Sequence, residues 1–327
     1  MQHIFCVHSL ITNITVYDTV VSLANQGEKV IVVTNRCDTF PLISGVKIVD
    51  FSKYTFKTLK SFSSLFLLYK LIKDTKKVIN NTEFVLYIPT SFDIVYQIFQ
   101  KNKFCKSYYY IEEGSISYEK LESLDKMLNA DMIKNKGKHW LGINTVHFIH
   151  DSVRFNGTLS ISDRAFYWNN KTKLVNNPNH YFDIYLSTQN NYNNYIVFGY
   201  MQQDTQELKK IVDVIFKKGK FQSNKEVAVK FHPRANILCL EKVLEMKEYI
   251  NNKYEGTIVL DSDFCIEKSL FQNNSCLYCV NDKSSLIIYS IINGGAAYLC
   301  KIVENDVVIN TYDSLVTYSH ELTSLYI

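Results

Sequence analysis

Three observations predict an α/β protein built from two consecutive units, each an open, mostly parallel sheet. Short β-branched runs alternate with helical stretches, the alternation stops and restarts once, and a polar stretch separates the two series. The length agrees: at 327 residues the chain exceeds the size at which one hydrophobic core stops growing, about 250 to 300 residues.

The first series opens with two apolar, β-branched runs at residues 4–8 and 29–34, which fit buried parallel strands. Residues 13–26 between them are helical in character and are closed by Gly27, a residue free to take the turn that ends a helix. Residues 46–51 read as a third strand, 56–79 as a long helix, and 84–88 as a strand ended by Pro89. Residues 91–100 read as a helix, and 107–111 as a Tyr-rich strand that runs into Glu112, Glu113 and Gly114. From 169 to 194 the composition turns to Asn, Lys, Tyr and Ser, the best linker in the chain, although 182–186 reads as one more strand within it. The second series then reads as strands at 195–200, 226–231, 257–260, 276–280 and 297–302, with helices at 205–216, 239–251 and 285–292. The units expected are 1–190 and 191–327.

Composition excludes several classes. Hydrophobic residues at 46% and charged residues at 21% describe a globular protein rather than a disordered one. A formal charge of +4, with no basic cluster on a nucleic-acid-binding signature, argues against nucleic acid as a partner. The eight cysteines are scattered, several within apolar runs, as free thiols in a reducing compartment would be. Cys276 and Cys279 form one Cys-x-x-Cys in a strand-like run, which sends them to opposite faces. His147 and His150 lack the helix-spaced partners of a zinc protease. The first residues carry no basic leader or small-residue cleavage site, and no apolar run reaches the roughly 18 to 20 residues needed to cross a bilayer, so a cytoplasmic location is expected. The stretch 53–77 mixes seven lysines with Phe and Leu; it reads as a core-facing helix with a solvated basic side, or as a peripheral contact with the inner membrane.

Three short pieces carry the chemistry. Glu112, Glu113 and Gly114 stand at the carboxyl end of a strand, where ligands of open α/β sheets gather. A hydroxyl nucleophile needs a positioned base in its transition state, and a carboxylate there can serve. Adjacent residues of an extended chain point to opposite sides, so one Glu is expected to reach a substrate, while Gly114 permits a sharp turn. His232 follows an apolar strand and is fixed by Pro233, with Lys230 and Arg234 as flanking cations suited to a phosphate. Ser284 and Ser285 precede a helical stretch whose unpaired N–H groups attract anions. Each piece alone also has a plain structural meaning: an acidic turn, a turn histidine, an N-cap. Asp261 and Asp263 spell Asp-x-Asp but lie far in sequence from the first acidic pair.

Taken together, in this order, the pieces resemble the acidic-acidic-Gly, His-Pro and Ser-Ser/Thr motifs of bacterial sialyltransferases of O-antigen, lipooligosaccharide and capsule assembly. The resemblance covers about a dozen residues, and the opening His8-Ser-Leu departs from the Thr-Pro-Leu-Gln type of one such family. It implies a GT-B-like α/β fold, two Rossmann-like domains facing across a cleft, with the acidic pair on the first domain and the other motifs on the second. It further implies CMP-sialic acid as donor, a galactoside or lipid-linked glycan as acceptor, no cofactor or metal, and inversion. The first acidic residue of the family motif carries the base role, which favours Glu112 over Glu113; the histidine and the seryl pair are assigned to the departing CMP phosphate. Transfer from CMP-Kdo or a CDP-polyol, and noncatalytic binding of CMP or a glycan, are the alternatives.

Overall fold

The computed structural model describes residues 1–35, 40–54, 62–90, 93–118, 153–186, 189–199, 201, 203–221, 226–232, 235–281 and 284–312. It divides into two compact units, Met1–Tyr181 and Phe182–Leu325.

The first unit carries strands β1 (Gln2–Val7), β2 (Lys29–Thr34), β3 (Val46–Asp50), β4 (Phe84–Ile88), β5 (Cys105–Ile111), β6 (Phe155–Ser160) and β7 (Thr172–Val175). They form one sheet in the order β3-β2-β1-β4-β5-β6-β7. Every neighbouring pair is parallel. Ile4, Phe5, Cys6 and Val7 of β1 are fully buried, as a central parallel strand covered on both faces requires. The Tyr-rich β5 is explained by the same sheet. Tyr87 of β4 stacks on Phe5 of β1 at 4.0 Å and on Tyr109 of β5 at 5.1 Å, so aromatic rings run across three strands on one face. Tyr108 and Tyr110, of opposite parity, pack with Phe155. Helices α1 (Leu10–Asn25), α2 (Phe62–Ile79) and α3 (Ile94–Lys101) connect these strands.

Beyond the first sheet come α4 (Pro178–Tyr185), β8 (Asn194–Phe198), α5 (Thr205–Lys218), β9 (Val227–Phe231), α6 (Ala235–Leu238) and α7 (Leu240–Lys253). They are followed by β10 (Thr257–Val259), α8 (Ile266–Gln272), β11 (Cys276–Val280), α9 (Leu286–Ile292), β12 (Ala296–Val303) and β13 (Asp306–Tyr312). The second sheet runs β10-β9-β8-β11-β12-β13. All pairs are parallel except the hairpin β12–β13. Its core joins Ile196, Phe198, Val229, Phe231 and Tyr278 to Leu208, Ile211, Val212 and Ile215 of α5, a three-four spacing that lays one helical stripe on the sheet. Each such aliphatic side chain contributes about 1.5 to 3 kcal/mol on burial.

Two of the sequence expectations change. Residues 182–186 are not a strand: Pro178 starts α4, Asn177 Oδ1 accepts from Asn179 N, and Tyr181 and Phe182 are buried side by side while Ile184 is exposed, the periodicity of a helix. The polar stretch 169–194 is also more than a linker, since β7 within it completes the first sheet. Cys276 packs in the second core with Tyr278 and Val280, whereas Cys279 faces the other way. His147 and His150 lie outside the described residues.

Candidate active site

In both sheets the chain reverses its direction of strand addition at a central strand, β1 in the first and β8 in the second. Ligands of open α/β sheets bind at the carboxyl ends of the strands beside such a reversal. The candidate residues fall on these two edges.

At the first edge the local chain is tightly fixed. Ser9 caps α1 by accepting from Thr12 N, and Thr12 Oγ1 accepts in return from Ser9 N and from His8 N, each at 3.0 Å. That cap holds His8 just past β1. Asp93 caps α3, accepting from Val95 N at 2.8 Å and from Asn35 Nδ2 at 3.1 Å, which ties the end of β2 to the start of α3. Tyr96, one turn into α3, is thereby placed with its Oη 2.9 Å from His8 Nδ1.

Past β5 the two carboxylates diverge. Glu112 is completely buried; Tyr118 Oη donates to its Oε1 at 2.8 Å and Ile161 N to its Oε2 at 2.9 Å. Its own N–H donates to Leu159 O, and Thr15 Oγ1 of α1 donates to its carbonyl. Burial, and then the adjacent Glu112 carboxylate, push the Tyr118 hydroxyl well above its ordinary pKa, so this donor keeps its proton. Glu113 turns to the other side, where its Oε2 lies 3.1 Å from His8 Nε2, and its N–H donates to Ser117 Oγ. Gly114 follows with φ +112°, a backbone region that a side chain would strain, and this turn carries the chain into the 3-10 turn Ser115–Tyr118 that supplies Tyr118 and Ser117. The result is a row of polar groups, Tyr96, His8 and Glu113, backed by a carboxylate whose two oxygens are both bonded within the fold.

At the second edge His232 follows β9, with its N–H donating to Phe198 O at the end of β8. Ser284 and Ser285 follow β11 on the other side of β8. The fold thus brings His232 and the seryl pair to flank one central strand. Ser284 Oγ accepts from Leu286 N at 3.3 Å; Ser285, at the N-cap of α9, makes no capping bond with its side chain. Pro233, Arg234 and Lys283 lie outside the described residues. Lys230 is used within the fold: its Nζ donates to Ser262 O at 3.0 Å and to Phe264 O, and burial lowers its pKa. Beside the loop it holds opens a groove of about 410 Å³, with Tyr185, Tyr192, Asn190, Asp261 and Asp263 among its lining. Among the described residues no three His, Cys, Asp or Glu side chains converge as metal ligands.

His8, Tyr96 and Tyr118 were not singled out by sequence. For His8 a signal exists: it follows the first strand and precedes Ser-x-x-Thr, a helix-start pattern, which places it on the ligand edge. Tyr96 and Tyr118 carry no such mark.

No protein-family model matches this chain, and no curated protein matches it by sequence. Solved structures do. The sialyltransferase of Photobacterium damsela superposes with a TM-score of 0.51 at 8% identity, over 89% of this chain and 72% of that one. A Listeria monocytogenes structure described as a UDP-N-acetylglucosamine 2-epimerase gives 0.50 at 10% identity, over 93% and 80%. At such identities the likeness establishes the fold, a GT-B-type α/β architecture of two Rossmann-like units.

Proposed function

We propose that this chain is a glycosyltransferase that moves a sialyl residue from CMP-sialic acid to a sugar hydroxyl, a galactoside of a bacterial surface glycan. The observation that supports the proposal is the difference in surroundings between the two carboxylates after β5. Glu112 is fully buried with both oxygens occupied, while Glu113 faces His8 with one oxygen engaged by the ring. A base must present a free lone pair to the acceptor hydroxyl, so the proposal gives the proton to Glu113 and a positioning role to Glu112. This reverses the order the family resemblance favours.

The step is a single displacement. The acceptor oxygen attacks the anomeric carbon as Glu113 removes its proton, the bond from that carbon to the phosphate oxygen breaks, and CMP departs with the bonding pair. His232 meets the charge that develops on the phosphate, with Ser284 and Ser285 as further donors. Pro233 and Arg234 belong to this donor side through the sequence motif. Lys230 acts at one remove, by holding the 262–264 loop.

The test is a mass-spectrometric search for product with CMP-sialic acid, CMP-Kdo and a CDP-polyol, each against a panel of galactosides. UDP-N-acetylglucosamine alone serves as a control for epimerisation, because one structure of similar fold is described as a 2-epimerase of that compound. Sialylated product is expected, with Glu113→Gln lowering kcat by about 10² to 10⁴. His8→Gln, which keeps a donor toward Glu113, should retain more activity than His8→Ala. Transfer from another cytidine donor, epimerisation, or CMP binding without turnover would each overturn the sialyl reading. Full activity of Glu113→Gln would overturn the choice of base.

A further inference from the structure

Helix α2 is amphipathic in an uncommon way. Leu68, Leu71, Thr75, Val78 and Ile79 are buried along one side. The other side is neither polar throughout nor covered. Leu65, Phe66 and Tyr69 are 42%, 59% and 64% exposed, and Lys70, Lys73, Lys76 and Lys77 are exposed beside them. At about 100° per residue these seven positions fall within an arc of about 140°. The apolar three occupy the amino-terminal half of the arc and the lysines the carboxyl-terminal half. Asp74 is the one acidic residue of the helix, and it is bonded to Lys77, Lys53 and the Tyr54 hydroxyl.

We propose that this face docks on the surface of an anionic phospholipid bilayer. Two features select that occupant. An acidic protein or a nucleic acid would use the lysines but would gain little from three large apolar side chains. A purely apolar partner would have to desolvate four ammonium groups. A bilayer surface takes both, because rings enter the acyl boundary while lysine stems reach back to the headgroups. Lys70 lies over Phe66, with its Nζ 4.5 Å from the ring centroid, so the apolar and the basic halves of the face adjoin. The buried side of the helix is committed to the first unit, and docking requires no rearrangement of that packing.

The test is co-sedimentation of the full chain with phosphatidylcholine vesicles, with and without phosphatidylglycerol, at low and high salt. Binding is expected only where phosphatidylglycerol is present, and it should weaken with salt. Each neutralised lysine should lower partitioning about fivefold, so Lys73→Gln with Lys76→Gln should lower it about 25-fold. Phe66→Ser with Tyr69→Ser should also lower binding, while leaving the salt dependence unchanged. Because all four side chains are exposed, unchanged thermal melting will show that the fold is intact. Equal binding to neutral and anionic vesicles, no binding to either, wild-type partitioning of the lysine variant, or binding to heparin but not to vesicles would each overturn the proposal. The outcome does not depend on any transferase activity.

Discussion

Removing the Tyr118 hydroxyl tests how the acidic turn is held. Tyr118→Phe deletes one oxygen and leaves the ring, which is 6% exposed, so packing is preserved and the loss falls on the hydroxyl's bonds, chiefly the one to Glu112 and with it a weaker one with Ser162. That bond joins a neutral donor to a fully buried carboxylate, and hydrogen bonds to charged groups contribute about 1.5 to 3 kcal/mol. For a unit of this size each kcal/mol lowers the melting midpoint by about 2 to 4 °C, which places the expected drop between about 3 and 12 °C. The amide variant sharpens the argument. In Glu112→Gln the amide oxygen can still accept from Ile161 N while the NH₂ group donates to the Tyr118 oxygen, so its pattern is satisfied with neutral bonds. In that background Tyr118→Phe should cost only about 0.5 to 1.5 kcal/mol. A double-mutant cycle from urea unfolding, followed by near-ultraviolet circular dichroism, should therefore give a coupling of about 1 to 2 kcal/mol. A coupling of zero would refute the reasoning, because it would mean that the buried carboxylate does not draw on this donor.

The buried tyrosines predict loss of stability in alkali. Burial raises the pKa of Tyr87 and Tyr118 above the ordinary 10, and raises that of Tyr195 to about 12 against weaker opposing bonds with Ser269 and Tyr192. The folded chain keeps protons that the unfolded chain releases above about pH 10, so the unfolded state binds fewer protons and stability falls as pH rises from about 10 through 12. Phenolate absorbance should show these rings ionising only as the fold opens; early, reversible ionisation of all of them would contradict their placement. Lys230→Met is expected to free the carbonyls of Ser262 and Phe264, destabilising the second unit by about 1 to 3 kcal/mol and quickening hydrogen exchange across residues 261–264. Unchanged exchange together with weakened binding of CMP would return Lys230 to the phosphate.

Strong local patterns were legible from residues alone. The short apolar runs of β1, β2, β8 and β11, too short for helices and bounded by polar residues, read as buried strands, and the spacing of Leu208, Ile211, Val212 and Ile215 announces α5. Weak elements escaped. The strand β7, Thr-Lys-Leu-Val, is too short and polar to signal itself and exists because β6 offers an edge. The hairpin to β13 turns on Glu304 and Asn305, both at positive φ, a two-residue turn that only Asn advertises in the sequence. Residues 182–186 read as extended because apolar and aromatic residues favour strands, but Pro178 and burial of adjacent Tyr181 and Phe182 select a helix over Pro178–Tyr185.

By itself the sequence determined where the chemistry-bearing groups stand along the chain: acids after β5, an imidazole after β9, hydroxyls after β11. That follows from apolar runs and the residues that end them, which are local properties. Only the tertiary structure decided what each group is bonded to, since hydrogen-bond partners come from distant segments. Glu112 and Glu113 are neighbours with the same side chain, yet one meets Tyr118 and Ile161 in a closed interior while the other meets His8, more than a hundred positions earlier in the sequence, at the end of β1. Adjacency in an extended chain already sends the two side chains to opposite sides, but burial and the partners met there, which adjacent letters cannot encode, make the two surroundings different.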